Sequence, residues 1–178
     1  MGELILRDAT AADVPALSAL GRDSFVAKFG HMYRPEDLAA FLAETHSPEA
    51  VAAELADPAR RYRLAELAGE LDGALAGYCK LALPSTLAAH DEAVRPAEIK
   101  QLYTAPGMTG RGIGAALMDG ALGEARAWGA DAVQLSVWSG NTDAQRFYAR
   151  YGFAKVADIH FRVGAQRDEE FLFALRLS

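Results

Sequence analysis

The feature that most constrains this chain is a glycine-rich segment, "YTAPGMTGRGIGAALM" at residues 103–118, which lies between a β-like run and an amphipathic run. Four glycines fall within residues 107–114. Glycine adopts backbone conformations that other residues avoid, and it lets a ligand approach the main chain closely. Backbone N–H groups at the start of a helix also form a binding site for an anion. The segment therefore predicts a phosphate-binding loop that opens a helix.

Two well-known phosphate motifs fit this segment poorly. A P-loop needs Lys and then Ser or Thr after its glycines, whereas Ile113 follows Gly112 here. The dinucleotide fingerprint is harder to exclude, because Gly110, Gly112 and Ala115 satisfy its spacing. However, the preceding loop contains Pro106, and the next strand ends in "SVWSG" without an acidic residue for a ribose. An anion cradle explains the segment better, although glycine spacing alone does not say which nucleotide it binds.

Composition predicts one domain over residues 1–178. The chain is 51% hydrophobic and 24% charged, which suffices for one ordinary core. Its formal net charge of -6 lacks the basic surface that nucleic-acid binding requires, so we expect no nucleic-acid partner. Cys79 is the one cysteine, which excludes an internal disulfide and a cysteine metal cage. The four histidines show no metal-ligand spacing, and we expect no metal.

The N-terminal segment "MGELILRDAT" has no long apolar run, because Arg7 and Asp8 interrupt it. We therefore predict neither a signal peptide nor a membrane span. The expectation that follows is a cytoplasmic protein without a membrane partner. Exposed sheet edges would leave a homodimer possible, although no residue demonstrates it.

Hydrophobic periodicity predicts alternating strands and helices. The predicted elements are a strand at 4–10, helices at 10–29, 34–47 and 47–57, a hairpin at 62–83 with its turn at 69–73, a strand at 98–104, a helix at 113–128, a strand at 132–138, a helix at 141–152, and strands at 155–164 and 169–177. No repeat or low-complexity linker interrupts this order. It indicates the α/β class, with a mixed central β-sheet flanked by helices.

A second motif makes the glycine-rich segment more specific. "GRGIGAALM" is followed, one strand later, by "NTDAQRFYARYGF". This pair resembles the GCN5-related N-acetyltransferase (GNAT) family, whose loop binds the pyrophosphate of acetyl-CoA and whose later helix carries Asn and Tyr. The order of elements is similar to the GNAT (acyl-CoA N-acyltransferase) fold over essentially the whole chain. The resemblance implies acetyl transfer from acetyl-CoA to a primary amine, by direct attack in a ternary complex.

The resemblance also implies which residues hold acetyl-CoA. The pyrophosphate would lie on the main chain of the loop, at Thr109, Gly110, Arg111, Gly112, Ile113 and Gly114. The pantetheine arm would pair like an added strand with the backbone of Leu102, Tyr103 and Thr104, and one amide would polarise the thioester carbonyl. Asn141 would hold the cofactor arm or a water, and it can also cap its helix.

Two loop residues leave questions open. The family usually carries Gln or Arg where this chain has Thr109. Since the cradle works mainly through main-chain donors, we expect acetyl-CoA binding to survive this change. Arg111 either adds charge to a phosphate or is a solvated surface arginine.

The chemistry of amine acetylation requires a proton acceptor. An alkyl amine has a pKa of about 10.4, so it is protonated and not nucleophilic at neutral pH. By resemblance to the family, Glu98 would be the general base, acting through water, and Tyr148 would be the acid that protonates the leaving sulfur. The alternatives are a solvated carboxylate at a strand end for Glu98 and a core tyrosine for Tyr148.

A narrower resemblance concerns the acceptor. "YRPEDLAAFL", "EIKQLYT", "LSVWSGNTDAQRFYARYGF" and "FRVGAQRDEEFLFAL" are similar to the PaiA-like branch of the family, which implies a polyamine such as spermidine or spermine. The candidate substrate-binding residues are Tyr33, Glu36, Asp37, Asp91 and Glu92. The alternatives are a peptide or protein amine, an aminoglycoside-like amine, and a non-catalytic acetyl-CoA-binding sensor.

Overall fold

The computed structural model describes residues 2–70 and 74–178. Met1 and residues 71–73, the end of the predicted hairpin turn, lie outside the described residues. The helices are α1 (Val14–Phe29), α2 (Pro35–His46), α3 (Pro48–Ala56), α4 (Ile113–Trp128) and α5 (Thr142–Arg150). The strands are β1 (Leu4–Asp8), β2 (Arg60–Leu67), β3 (Gly77–Ala82), β4 (Pro96–Thr104), β5 (Ala132–Trp138), β6 (Ala154–Val163) and β7 (Gln166–Arg176).

Local sequence signals account for the helix ends. Ser47 caps α3, since its hydroxyl oxygen accepts a hydrogen bond from the N–H of Ala50 at 3.2 Å. Gly129 ends α4 with φ of 89°, a left-handed conformation that favours glycine. The first helix begins later than predicted. A 3₁₀ turn at Ala11–Asp13 follows Thr10, and α1 begins only at Val14.

The described strands form one seven-stranded sheet in the order β1-β2-β3-β4-β5-β7-β6. Neighbouring strands are antiparallel except for β4 and β5, which are parallel. Helices cover both faces of this sheet. The predicted α/β class with a mixed central sheet is therefore confirmed.

The pairing between β4 and β5 is short. It covers only Pro96–Glu98 on β4 and Ala132–Gln134 on β5. The other edge of β4 stays paired with β3 as far as Thr104, which lies opposite Gly77. Beyond residue 98 the two parallel strands therefore separate, and in the described part of the chain the edge of β4 that faces β5 has no strand partner.

Side-chain alternation distributes the core over the two faces of the sheet. Tyr78 and Cys79 are successive residues of β3, and they belong to different apolar clusters. The cluster of Cys79 includes Leu117 of α4 and lies on the face that α4 and α5 cover. The cluster of Tyr78 includes Leu17 of α1 and lies on the opposite face. The gap between β4 and β5 connects these two faces.

We expect Gly77→Ala to destabilise the protein. A Cβ at this position would lie 2.6 Å from the carbonyl oxygen of Tyr103 and 3.0 Å from Cγ2 of Ile113. Because the backbone of β4 must move to relieve this contact, we expect a loss of about 1–3 kcal/mol in the free energy of unfolding, measured by chemical denaturation.

The matched control is Gly123→Ala on the exposed side of α4, where an added Cβ meets no atom within 4 Å. Alanine favours a helix over glycine by about 1 kcal/mol, so this variant should gain stability. Equal stabilities for the two variants would contradict the close approach of β3 and β4 at Gly77.

Candidate active site

The loop before α4 has the geometry of an anion cradle. Gly107, Gly110 and Gly112 have φ of 82°, 79° and 78°, in the region that favours glycine. A Cβ at any of the three would meet no atom within 4 Å, so the space in front of this backbone is open. Gly112 is the N-cap of α4 and supplies no side-chain acceptor for the first N–H groups of the helix. The loop therefore fits a pyrophosphate that those groups would bind.

The other loop residues contribute in different ways. Ile113 is buried in the core, so only its main chain can face a ligand, whereas Thr109 is exposed. Arg111 forms an ion pair with a carboxylate outside the loop. Its guanidinium donates two hydrogen bonds of 3.1 Å to the carboxylate of Glu70, which also accepts the N–H of Gly2 at 2.6 Å. Arg111 thus ties the glycine loop to the end of the β2 segment.

A cavity of 780 Å³ lies at the gap between β4 and β5. Leu102 and Tyr103 line it from β4 and Val137 from β5. Asn141 and Tyr148 line it from the start and the inner side of α5. The structure therefore brings four of the predicted strand and helix residues to one cavity, whereas Thr104 lies outside its lining.

The two α5 residues are held in distinct ways. The Asn141 side chain caps α5, because its Oδ1 accepts the N–H of Ala144 at 3.2 Å. The half-buried Tyr148 ring packs edge-on against Phe153, with ring centroids 5.9 Å apart. Burial raises the pKa of the Tyr148 phenol well above its usual value, so the hydroxyl stays protonated at neutral pH.

Glu98 lies where β4 and β5 begin to separate, and its carboxylate faces the same cavity. The residue is only 5% exposed, so it is not a solvated strand-end carboxylate. Its Oε1 accepts hydrogen bonds from Thr86, at 2.8 Å from the backbone N–H and at 2.6 Å from the hydroxyl. The Nζ of Lys100 lies 3.7 Å from Oε2. These contacts fix the orientation of the carboxylate at the mouth of the gap.

Of the five candidate substrate residues, the structure places only Tyr33 in the cavity wall, where its hydroxyl donates a hydrogen bond to Asp168. Asp37 is buried, and its Oδ1 accepts the N–H of Ala165 at 2.8 Å, which anchors the β6–β7 turn to α2. Glu36 is exposed on the outer side of α2 and forms an ion pair with Arg34.

The two candidates before β4 also lie outside the cavity lining. The carboxylate of Asp91 accepts a hydrogen bond of 3.2 Å from the side-chain amide of Gln134, and it lies 3.6 Å from a guanidinium nitrogen of Arg176. Glu92 is exposed. From the loop that carries them, Thr86 and Leu87 reach the cavity instead.

Sequence analysis missed the two carboxylates of the last strand, Asp168 and Glu170, which line the cavity from β7. They stand two positions apart and therefore share one face of the strand. That spacing was visible in the sequence, but their position beside β5 follows from the strand order. Glu170 is 8% exposed, and its Oε2 has no hydrogen-bond partner among the described residues. Burial, reinforced by the nearby charge of Asp168, raises the pKa of Glu170 to about 7.

In the parts of the chain that the structure describes, no helix is long and apolar enough to cross a membrane. No three His, Cys, Asp or Glu side chains within those same ranges are placed to hold a metal ion.

Comparison with known proteins identifies the family. Residues 27–153 match the Acetyltransferase (GNAT) family. An uncharacterized N-acetyltransferase of Lactobacillus delbrueckii is 32% identical, over 90% of each chain, and one of Mycobacterium tuberculosis is 34% identical, over 93% of this chain and 98% of the relative. The chain therefore belongs to the GNAT family and is an acetyl-CoA-dependent N-acetyltransferase.

Two further similarities concern fold and acceptor. The crystal structure of PaiA N-acetyltransferase from Thermoplasma acidophilum in complex with coenzyme A has a TM-score of 0.78, covers 98% of this chain and 99% of its own, and is 20% identical in sequence. The aminoalkylphosphonate N-acetyltransferase of Salmonella typhimurium is 37% identical over 62% of this chain and 66% of its own.

Gly114→Leu should weaken acetyl-CoA binding. A Cβ at Gly114 would make only ordinary contacts, 3.8 Å to Cζ of Phe147 and 3.9 Å to the hydroxyl oxygen of Thr104, so the helix can accept a side chain there. The longer leucine would fill the space between the starts of α4 and α5 and the end of β4. We expect the Kd for acetyl-CoA, measured by calorimetry, to rise at least about tenfold, which corresponds to about 1.4 kcal/mol.

Gly123→Leu is the control, since it adds the same side chain to the exposed side of α4. It should leave the Kd unchanged. An unchanged Kd in Gly114→Leu as well would contradict the assignment of the acetyl-CoA site to this loop.

Proposed function

We propose that this N-acetyltransferase acts on a primary amine that carries several positive charges, a polyamine such as spermidine or spermine, by direct transfer in a ternary complex. The observation that carries the proposal is the charge of the cavity. Three lysines line it, at positions 28, 80 and 100, and the carboxylates that line it are Glu44, Glu54, Asp57, Glu98, Asp168 and Glu170.

The lysines do not cancel this negative charge. The Nζ of Lys80 lies 3.6 Å from a carboxylate oxygen of Glu54, and that of Lys100 lies 3.7 Å from Glu98. Lys28 is the one remaining lysine of the described lining, against four further carboxylates. A surplus of negative charge in a concave site attracts a cation and raises its local concentration.

The positions of the carboxylates suit an extended acceptor. Glu98 and Glu170 lie on strands on either side of the gap, while Glu44 on α2 and Asp57 after α3 lie on the helical wall. Between them the wall is aromatic, with Phe25, Phe29, Tyr33 and Phe41. Aromatic faces pack against methylene groups and attract ammonium groups. Alternating ammonium and methylene groups are the chemistry of a polyamine.

The relative named for aminoalkylphosphonate provides a contrasting acceptor class. An aminoalkylphosphonate carries an anionic group beside its amine. Because the cavity has a surplus of carboxylates, we expect it to disfavour such an acceptor.

The residues at the gap can carry out the proton transfers. When bound, acetyl-CoA supplies an acetyl thioester whose carbonyl carbon an amine can attack. The unpaired edge of β4 at Leu102, Tyr103 and Thr104 would bind the pantetheine arm and orient the carbonyl. Glu98, held by Thr86, would accept an amine proton through water. The protonated hydroxyl of Tyr148 would donate to the leaving sulfur.

Glu98→Gln and Tyr148→Phe test these roles. Each change removes one proton transfer and keeps the shape of the side chain, so we expect kcat to fall by about 10²-fold or more while the Kd for acetyl-CoA changes little. Tyr151→Phe is the control. It also removes a tyrosine hydroxyl at the end of α5, but that hydroxyl donates a hydrogen bond to the carbonyl oxygen of Ala115, and neither residue lines the cavity. Parental kcat in both active-site variants would remove the assignment.

A panel of acceptors tests the substrate class. Release of free CoA thiol would be followed with spermidine, spermine, an aminoglycoside, a lysine peptide and an aminoalkylphosphonate. We expect the highest kcat/KM with the two polyamines, because they alone place several ammonium groups on a flexible apolar chain. A higher kcat/KM with the aminoalkylphosphonate or the peptide would overturn the polyamine proposal and leave the acetyltransferase activity in place.

A further inference from the structure

We propose that Glu170 is a second catalytic carboxylate of this enzyme, which receives the ammonium group of the acceptor and takes its first proton. The inference rests on the proposed acetylation of an alkylammonium acceptor. It gives β7 a direct part in the reaction, in addition to Glu98 on β4.

Glu170 has unused hydrogen-bonding capacity. The residue is more than nine-tenths buried in the cavity wall, yet its Oε2 has no partner among the described residues. An unpaired buried polar atom is costly, so such an atom in a cavity wall indicates a ligand partner.

The other carboxylates near the gap are already engaged. Both oxygens of Asp168 accept hydrogen bonds, one from the side-chain amide of Gln166 at 2.8 Å and one from the Tyr33 hydroxyl. Oε1 of Glu98 accepts two hydrogen bonds from Thr86. Among these three carboxylates, Glu170 alone has a fully buried oxygen without a hydrogen-bond partner in the described residues.

The position of Glu170 suits this role. It lies opposite Trp138 at the end of β5, on the side of the gap away from β4. Cross-strand partners point to the same face of a sheet, so Glu170 and Trp138 both face the cavity side that α1 and α2 cover. Glu98 lies opposite Gln134, four residues earlier along β5. The two carboxylates thus stand on opposite sides and at different depths of one gap.

The surroundings of Glu170 contain no compensating cation among the groups that act on it. The groups that face it are Asp168 on its own strand, Ser136 on β5, Tyr103 on β4, Tyr33 before α2, and the apolar Ile159 and Phe161 on β6. Burial first, then the charge of Asp168, raises the pKa of Glu170 from 4.5 to about 7, and the Ser136 hydroxyl opposes this rise.

This environment makes Glu170 a better proton acceptor than an ordinary glutamate. The raised pKa lies closer to that of an alkylammonium, at about 10.4, so proton transfer to Glu170 is less unfavourable than to an ordinary glutamate. At neutral pH a large share of the carboxyl is still ionised and ready to accept. An ordinary carboxylate would be ionised but a much weaker base.

The acceptor nitrogen loses two protons in the reaction, and the sulfur gains one. An N–H bond of the ammonium breaks and its proton goes to Oε2 of Glu170, which leaves a lone pair on nitrogen. That pair forms the bond to the acetyl carbon as the carbon–sulfur bond breaks. Glu98 and its water take the second nitrogen proton, and the Tyr148 hydroxyl gives a proton to the sulfur. Tyr148 is then reprotonated from the water at Glu98, and Glu170 releases its proton to solvent.

The pH dependence of kcat/KM tests the assignment. In the parent enzyme we expect kcat/KM to fall about tenfold per pH unit below about pH 7, because protonated Glu170 cannot accept a proton. In Glu170→Gln we expect kcat/KM at pH 7.5 to be lower by about 10²-fold. We also expect the acidic limb of the profile, the decrease in kcat/KM below about pH 7, to be absent. A limb near pH 7 that persists in Glu170→Gln would overturn the proposal.

Two other variants separate this inference from the proposed function. Glu98→Gln should lower kcat at every pH and keep the limb near pH 7. Glu169→Gln, which changes the exposed neighbour on the opposite face of β7, should keep both rate and limb. If the acceptor panel selects an amine other than a polyamine, the profiles are measured with that amine, so the polyamine proposal can fail while the role of Glu170 stands.

Thermal unfolding provides a readout that does not involve activity. The folded state keeps Glu170 protonated up to about pH 7, whereas an unfolded chain releases this proton near pH 4.5. Stability is therefore lost as the pH rises from 4.5 through 7, and a glutamine escapes this loss. We expect the Tm of Glu170→Gln to exceed that of the parent at pH 8 and the difference to shrink at pH 4.5. A Tm difference that does not change with pH would contradict the buried, partnerless carboxylate and overturn the proposal.

Discussion

The short ladder between the parallel strands β4 and β5 is the constraint on which the rest of the site depends. The two strands share hydrogen bonds only over Pro96–Glu98 and Ala132–Gln134 and then separate. Each strand keeps its partner on the other side, since β3 holds β4 as far as Thr104 and β7 holds β5 as far as Trp138. The gap therefore stays open within an ordered sheet, and it offers one strand edge to a ligand.

The gap opens to both faces of the sheet, and the groups on the two faces favour ligands of opposite charge. On the side of α4 and α5, the main-chain N–H groups that follow Gly112 favour a phosphate. On the side of α1 and α2, the carboxylates of Glu98 and Glu170 favour an ammonium group. A phosphate group and an ammonium group could therefore approach the same gap from opposite faces without competing for one wall.

Burial has different consequences for three ionisable groups around this gap. It raises the pKa of Cys79 to about 12, which leaves the thiol protonated and unreactive. It raises the pKa of Tyr148, which keeps the hydroxyl in the state of a proton donor. For Glu170 the same effect, with the charge of Asp168, brings the pKa to about 7, where a carboxyl can accept a proton and still ionise. A carboxylate held in this way costs stability, a cost that is common at functional sites.

Local signals in the sequence determined the element order, the α/β class and the glycine-rich loop at the start of α4, because periodicity, caps such as Ser47 and the conformational freedom of Gly112 act within a few residues. The tertiary structure alone decided which acidic side chains line the cavity. It placed Asp37 in a structural hydrogen bond, and it brought Glu170 into the cavity wall because β7 lies beside β5. Strand order and the pairing of Arg111 with Glu70 join residues far apart in the chain, and such contacts depend on packing of the whole fold rather than on any local pattern.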